Sequence, residues 1–375
     1  MSRLIRAAAV AASIATVIGT AAAGPAAATQ AARGGASPAV ALHWKRAFRH
    51  QYNTDNPGSG FATVVAPGRD DAWAFGWKAP AMGGLVGGLA AAAHWNGHQW
   101  RTVSLGLGSA GGIAAASAVS RDDIWAAGQE DHDVLRWNGH AWSVVRHWPG
   151  NAGSDPRELS GITAISAADV WVFGRSGLAQ GLGTWHYNGH AWKRFTGAAS
   201  SSIISGSAVS AHDIWAIGAT RPPYTGDVIV RYNGHRWLRA SAPALREMRF
   251  NGITAVSRSS VWVAGMSFTG GARSVLMHWN GESWQRFTVP GGPMTSEIIV
   301  PAGNGGLWLL TSDSTDSYLL YRSVAGAWSR KALGPVDRTA VQGLARIPGT
   351  SSVLAAASSY QSGNPAAAIY QGSRG

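Results

Sequence analysis

Three observations predict an all-β fold, a seven-bladed β-propeller with four-stranded antiparallel blades. A tryptophan-centred segment recurs along the 375-residue chain at steps of 52, 46, 44, 47, 46 and 46 residues. Each repeat reads as four short strands. The last repeat supplies only three, while one orphan strand stands ahead of the first. A lone four-stranded sheet cannot bury several large aromatics, so the units must stack face to face, which is the propeller solution.

The second strand of each unit carries the clearest motif. It reads Asp71-Ala-Trp73-Ala-Phe-Gly76, Asp123-Ile-Trp125-Ala-Ala-Gly128, Asp169-Val-Trp171-Val-Phe-Gly174 and Asp213-Ile-Trp215-Ala-Ile-Gly218 in the first four units. Ser260-Val-Trp262-Val-Ala-Gly265 keeps the indole and the glycine, Trp308 keeps only the indole, and Ser352-Val-Leu354 is degenerate. The first strand lies just upstream, as in Ile113 to Val119, and ends in a turn whose Asp is expected to bond nearby backbone N–H groups.

Strands three and four are joined by a second motif: Trp95-Asn-Gly-His-Gln-Trp100, Trp137-Asn-Gly-His-Ala-Trp142, Tyr187-Asn-Gly-His-Ala-Trp192, Tyr232-Asn-Gly-His-Arg-Trp237 and Trp279-Asn-Gly-Glu-Ser-Trp284. Asn-Gly tolerates positive φ at both centres of a type I′ turn, so a two-residue hairpin is predicted. His98, His140, His190 and His235 are then expected to pack across the strands. At the seam, Leu42 to Phe48 has the fourth-strand pattern. It would complete the last blade, which ends near Gly372, so that seven blades close and no sheet edge stays open.

These residues resemble a secreted actinobacterial propeller repeat of the kind Val-Ser-x-x-Asp-x-Trp-Ala-x-Gly followed by Trp-Asn-Gly-x-x-Trp, over about residues 42–372. More distantly they are similar to kelch and galactose-oxidase-type propellers. They depart from kelch in having one glycine where kelch has a pair. They depart from the sialidase Asp-box because His94-Trp95-Asn96 replaces its Ser-x-Asp half. The resemblance implies a fold and licenses no catalytic activity.

Composition narrows the rest. A hydrophobic share of 46% is too high for a disordered chain. The absence of Cys excludes a disulfide framework, a Cys-based zinc site, an iron–sulfur cluster and a thiol nucleophile. Arg3 and Arg6 followed by an Ala-rich run predict a Sec signal over residues 1–28, with a disordered leader over 29–41 and one propeller over 42–372. The protein is thus expected to be secreted, monomeric and without a membrane span once the signal is removed. Removal of Arg3 and Arg6 lowers the formal charge from +12 to +10. Because 27 of the 31 basic residues are Arg, that charge reads as coding bias more than as a nucleic-acid surface.

Catalytic signals are sparse. There is no Gly-x-Ser-x-Gly elbow and no Walker loop. Gly106-x-Gly-x-x-Gly111 lacks the helix a dinucleotide site needs. Paired His94/His98 and His186/His190 would point to opposite faces of a hairpin, so neither a metal nor a cofactor is expected. The Glu130-Asp131-His132-Asp133 run reads as a solvated acidic loop before it reads as a calcium site. Sixteen of the 19 Trp occupy repeat positions and belong to packing, leaving Trp77, Trp148 and Trp185 unassigned.

In a propeller the strand 2–3 and inter-blade 4–1 loops share one face, and loops held by a rigid scaffold carry function. The expected ligand-binding residues there are Trp148, Arg157, Glu158, Arg246 and Arg249, with Asp337 and Arg338. No catalytic residue is assigned. The expected function is non-catalytic binding of an extracellular polysaccharide or protein. Adhesion to an anionic cell-wall polymer is a further possibility for the charge. The alternative is a carbohydrate-active hydrolase or lyase acting on acidic sugars through Glu158, Asp337 or Glu130.

Overall fold

The computed structural model describes residues 40–375, apart from 53–57, 81–87, 107–110, 129–131, 149–158, 175–181, 197–201, 220–226, 241–247, 269–272, 292–294, 314, 336–338 and 361–364. The predicted signal and nearly all of the leader lie outside the described residues. Every regular element among the described residues is a strand, and the strands form seven four-stranded antiparallel sheets. Blade one comprises Ser59–Gly68, Asp71–Lys78, Leu89–Trp95 and Trp100–Val103 in spatial order. Blades two to six begin with Ile113–Ser120, Leu159–Ser166, Ser202–Ser210, Met248–Ser257 and Thr295–Pro301, and repeat the same order.

Blade seven is assembled from both ends of the chain, as the orphan strand predicts. Leu42–His50 pairs antiparallel with Ala366–Arg374, from Leu42 opposite Arg374 to His50 opposite Ala367. Trp44 lies flat on Tyr370 with ring centroids 5.1 Å apart. Ala366–Arg374 is therefore covered, and the last blade has four strands like the other six.

The motif tryptophans are mortar between blades. Trp125, Trp171, Trp215 and Trp308 are no more than 2% exposed, and truncating one such side chain costs about 3–5 kcal/mol. Each closing Trp of a fourth strand faces back toward the preceding blade: Trp142 packs on Trp73 and Phe75, and Trp237 on Trp171. This is why two indoles recur per unit. One fills the sheet interior and the other seals the gap outside it.

The motif glycine has a separate cause. In every blade the first strand slips register opposite the end of the second strand, as at Phe61/Thr63, Ile203/Ser205 and Phe250/Gly252, and in blades one to five it slips again beside the turn that joins the two strands. In blades one, four and five the bulge brings a first-strand carbonyl against the glycine. A Cβ at Gly76 would lie 2.0 Å from Gly60 O, at Gly218 2.2 Å from Ser202 O, and at Gly265 2.0 Å from Arg249 O.

The hairpin turn differs from the predicted type I′. Gly97, Gly139, Gly189, Gly234 and Gly281 have φ between +89° and +102°, but the preceding Asn residues do not have positive φ. Trp95 pairs with Trp100, so four residues form the loop. The Asn96 carboxamide oxygen accepts from the His98 and Gln99 amides at 3.1 and 3.0 Å, and this side-chain cap widens the turn. Consequently His98, His140, His190 and His235 sit in the exposed turn and do not pack across the strands.

Candidate functional site

The motif Asp side chains do not bond the local backbone as predicted; they reach the third strand. Asp71 bonds His94 and Asp169 bonds His186, each at 2.8 Å. Asp123 accepts from Arg136 at 2.8 Å, and Asp213 accepts from Arg231 Nε and Nη2 at 2.7 and 2.9 Å. In blade five Ser260 takes the place of the acid and bonds His278 at 3.0 Å.

Register explains the partner, because His94, Arg136, His186, Arg231 and His278 all stand opposite the motif Trp. Each covers that indole. His94, His186 and His278 stack at 4.1, 4.3 and 3.8 Å, while Arg136 and Arg231 lie 5.0 and 4.9 Å above theirs. Burial, and then the charge of Arg322, lowers the His278 pKa below that of an ordinary imidazole. The sequence signal for these clamps was present: a basic residue always stands just before the hairpin aromatic.

The innermost strands use their hydroxyls in the same structural way. Ser160 Oγ donates to Ile203 O at 2.9 Å and Thr163 Oγ1 to Gly206 O at 2.9 Å. The Ser117 and Ser207 hydroxyls accept from the Ala164 and Ala255 amides of the following blades at 3.0 and 2.9 Å. These side chains rivet blade to blade.

Of the residues expected to bind ligand, Arg157, Glu158, Arg246, Asp337 and Arg338 lie outside the described residues, as do Glu130 and Asp131. Trp148 is 6% exposed and sits between blades two and three. It packs on Trp185 and Trp192 at 5.2 and 5.5 Å, with Arg146 above it at 5.1 Å. Trp185, in turn, donates from Nε1 to Leu182 O at 2.8 Å. Trp77 is partly buried against Gly58 and Gly60. Asp133 is bonded to His147 at 2.7 Å.

Arg249 is exposed near the start of the first strand of blade five. Its charge acts on Asp227, a residue the sequence did not single out, at the start of strand Asp227–Tyr232 in blade four. Burial raises the Asp227 pKa, opposed by a hydrogen bond from the Phe250 amide and by Arg249. Asp227 and Arg249 thus lie within electrostatic reach of each other at the loop-bearing end of the blade four–five interface. Among the described residues no three His, Asp or Glu side chains come together as a metal site. No helix among them is long and apolar enough to cross a membrane.

The fold and this arrangement define a seven-bladed β-propeller. No protein-family model and no curated protein matches the chain. Solved propellers resemble it in structure at low identity. YCF48 bound to D1 peptide shares 12% identity at TM-score 0.59, covering 88% of this chain and 94% of that one. A catalytically inactive virginiamycin B lyase from Staphylococcus aureus with quinupristin shares 11% at 0.61, covering 89% and 99%. The WD40 propeller domain of Doa1 shares 11% at 0.58, covering 87% and 96%. At such identities the likeness concerns the fold alone.

Proposed function

We propose that this protein is a secreted, non-catalytic binding propeller that holds an extracellular protein or polysaccharide on its loop-bearing face. One observation carries the reading: the motif Asp residues with their third-strand partners, and hydroxyls of the innermost strands, are committed to clamps and rivets. That leaves no convergent acid, base and nucleophile among the described residues. The peptide held by YCF48 and the WD40 domains of the same architecture favour a protein or peptide partner on a scaffold of this kind.

The contacting residues are Arg249, beside Asp227, and the loop residues Arg157, Glu158, Arg246, Asp337 and Arg338. The test is a glycan array and a peptide array probed with the wild-type protein and with Arg249→Ala, run beside a hydrolase and lyase panel. Binding that falls at least severalfold in the variant, without turnover, supports the reading. Turnover of an acidic glycan overturns it in favour of an enzyme, and binding indifferent to Arg249→Ala overturns the site.

A further inference from the structure

The positive charge of this chain is sorted by strand position. The seven fourth strands are Leu42–His50, Trp100–Val103, Trp142–His147, Trp192–Phe195, Trp237–Arg239, Trp284–Thr288 and Trp328–Pro335. Together they carry 11 Lys and Arg and no Asp or Glu. In five consecutive blades, three to seven, the closing Trp is followed two residues later by an exposed Arg: Arg194, Arg239, Arg286, Arg330 and Arg46. Edge strands often bear charge to discourage edge-to-edge pairing, but that purpose is served equally by mixed signs. Coding bias accounts for Arg in place of Lys and not for the missing acids.

The rim also has grooves. Blades radiate from an axis, so neighbouring sheets splay apart outward and their aromatics only partly fill the gap. One groove of about 600 Å³ lies between blades seven and one, lined by Lys45, Arg46 and Arg69 with Trp95 and Trp100. Its counterpart of about 750 Å³, between blades four and five, is lined by Arg239 with Trp279 and Trp284, and there Glu282 contributes one acid. Both volumes lie in the range of small-ligand sites. Within each pair the two indoles are tilted, by 42° and 50°. A flat base can lie against only one of two such faces, whereas a puckered pyranose can touch both.

We propose that this outer girdle binds a linear anionic glycan, with acid groups on the fourth-strand cations and sugar rings in the inter-blade grooves. A repeating array of like charge calls for a repeating anion, and a curved rim can touch a flat membrane over only a small arc. The surface is separate from the loop-bearing face, so either can fail alone.

The probe is polygalacturonate, with its methyl ester as the uncharged counterpart. Lys45, Arg239, Arg286 and Lys331 are exposed and make no ion pair with any described residue. The quadruple variant Lys45→Gln, Arg239→Gln, Arg286→Gln and Lys331→Gln is expected to weaken salt-sensitive binding about tenfold or more. A control removes the same charge outside the fourth strands and their grooves: Arg121→Gln, Arg236→Gln, Arg258→Gln and Arg273→Gln should change affinity by less than about threefold. Swapping Lys and Arg at the four rim positions should preserve binding, and unchanged thermal unfolding of the Gln variant excludes a folding defect. Equal losses in the two quadruple variants overturn the proposal, as does equal binding of the methyl ester. Tighter binding of oligo-dT or of phosphatidylglycerol vesicles overturns it in favour of a nucleic acid or a membrane.

Discussion

Replacing Asp213 by Ala should be the most damaging of the clamp substitutions. Asp213 is 1% exposed and receives two hydrogen bonds from Arg231, at 2.7 and 2.9 Å, with Arg258 Nε 3.8 Å away. Removing one member of a buried pair leaves the other charge uncompensated, at about 3–5 kcal/mol. The Arg231 side chain is 36% exposed and can regain some water, which places the expected loss near the lower end, about 3 kcal/mol. For a chain of this length that corresponds to a fall in Tm of about 4 °C. Removing both charges in Asp213→Val/Arg231→Met should return stability to within about 1–1.5 kcal/mol of wild type, because no charge is then stranded. Asp71→Ala should cost less, since His94 is held to Asp71 by one hydrogen bond at 2.8 Å, against two between Arg231 and Asp213, and keeps its stack on Trp73. Calorimetry and urea unfolding of the four proteins provide the measurement. An Asp213→Ala loss below about 0.5 kcal/mol, or a double variant no more stable than the single one, would refute the clamp as the reason for the motif Asp.

Gly218→Ala should destabilise by roughly 2–4 kcal/mol because its Cβ would meet a backbone carbonyl, whereas Gly128→Ala, with its nearest neighbour at 3.4 Å, should cost about 1 kcal/mol or less; thermal melts of both decide it. Folding lowers the His278 pKa, so its contribution to stability is present above the unfolded value of 6.5 and is lost as pH falls through the lower folded value. His278→Gln should therefore flatten the acid limb of a stability–pH profile below pH 6.5, and an unchanged limb would count against burial as the cause. Deleting residues 1–51 removes the strand paired with Ala366–Arg374 and exposes an edge, so size-exclusion chromatography should show aggregates in place of a single species.

Much of the ring was legible before any coordinates. Aromatic and glycine spacing announces the blades because a repeated packing problem has a repeated chemical answer. The orphan strand Leu42–His50 could be placed because an unpaired edge at each end has one economical solution. The functional surface was less legible. Trp148 looked unassigned by position, yet its ring fills the gap between blades two and three, a role that depends on Trp185 and Trp192. Asp227 had no motif to mark it, since the rise in its pKa comes from burial, against the opposing pull of the Phe250 amide and of Arg249 on the neighbouring blade.

The sequence by itself determined the number of blades, the strand order within each and the closure of the last, which follow from the spacing of one repeated motif and from an orphan strand that matches the strand missing from the last repeat. Only the tertiary structure decided which groups are spent on holding the ring. The Asp–His and Asp–Arg clamps arise from cross-strand register, and the hydroxyl rivets from the approach of neighbouring first strands. The outer girdle emerges only when fourth strands far apart in the chain are set side by side around one axis. A charge that looks like composition in one dimension becomes a surface once the sheets radiate.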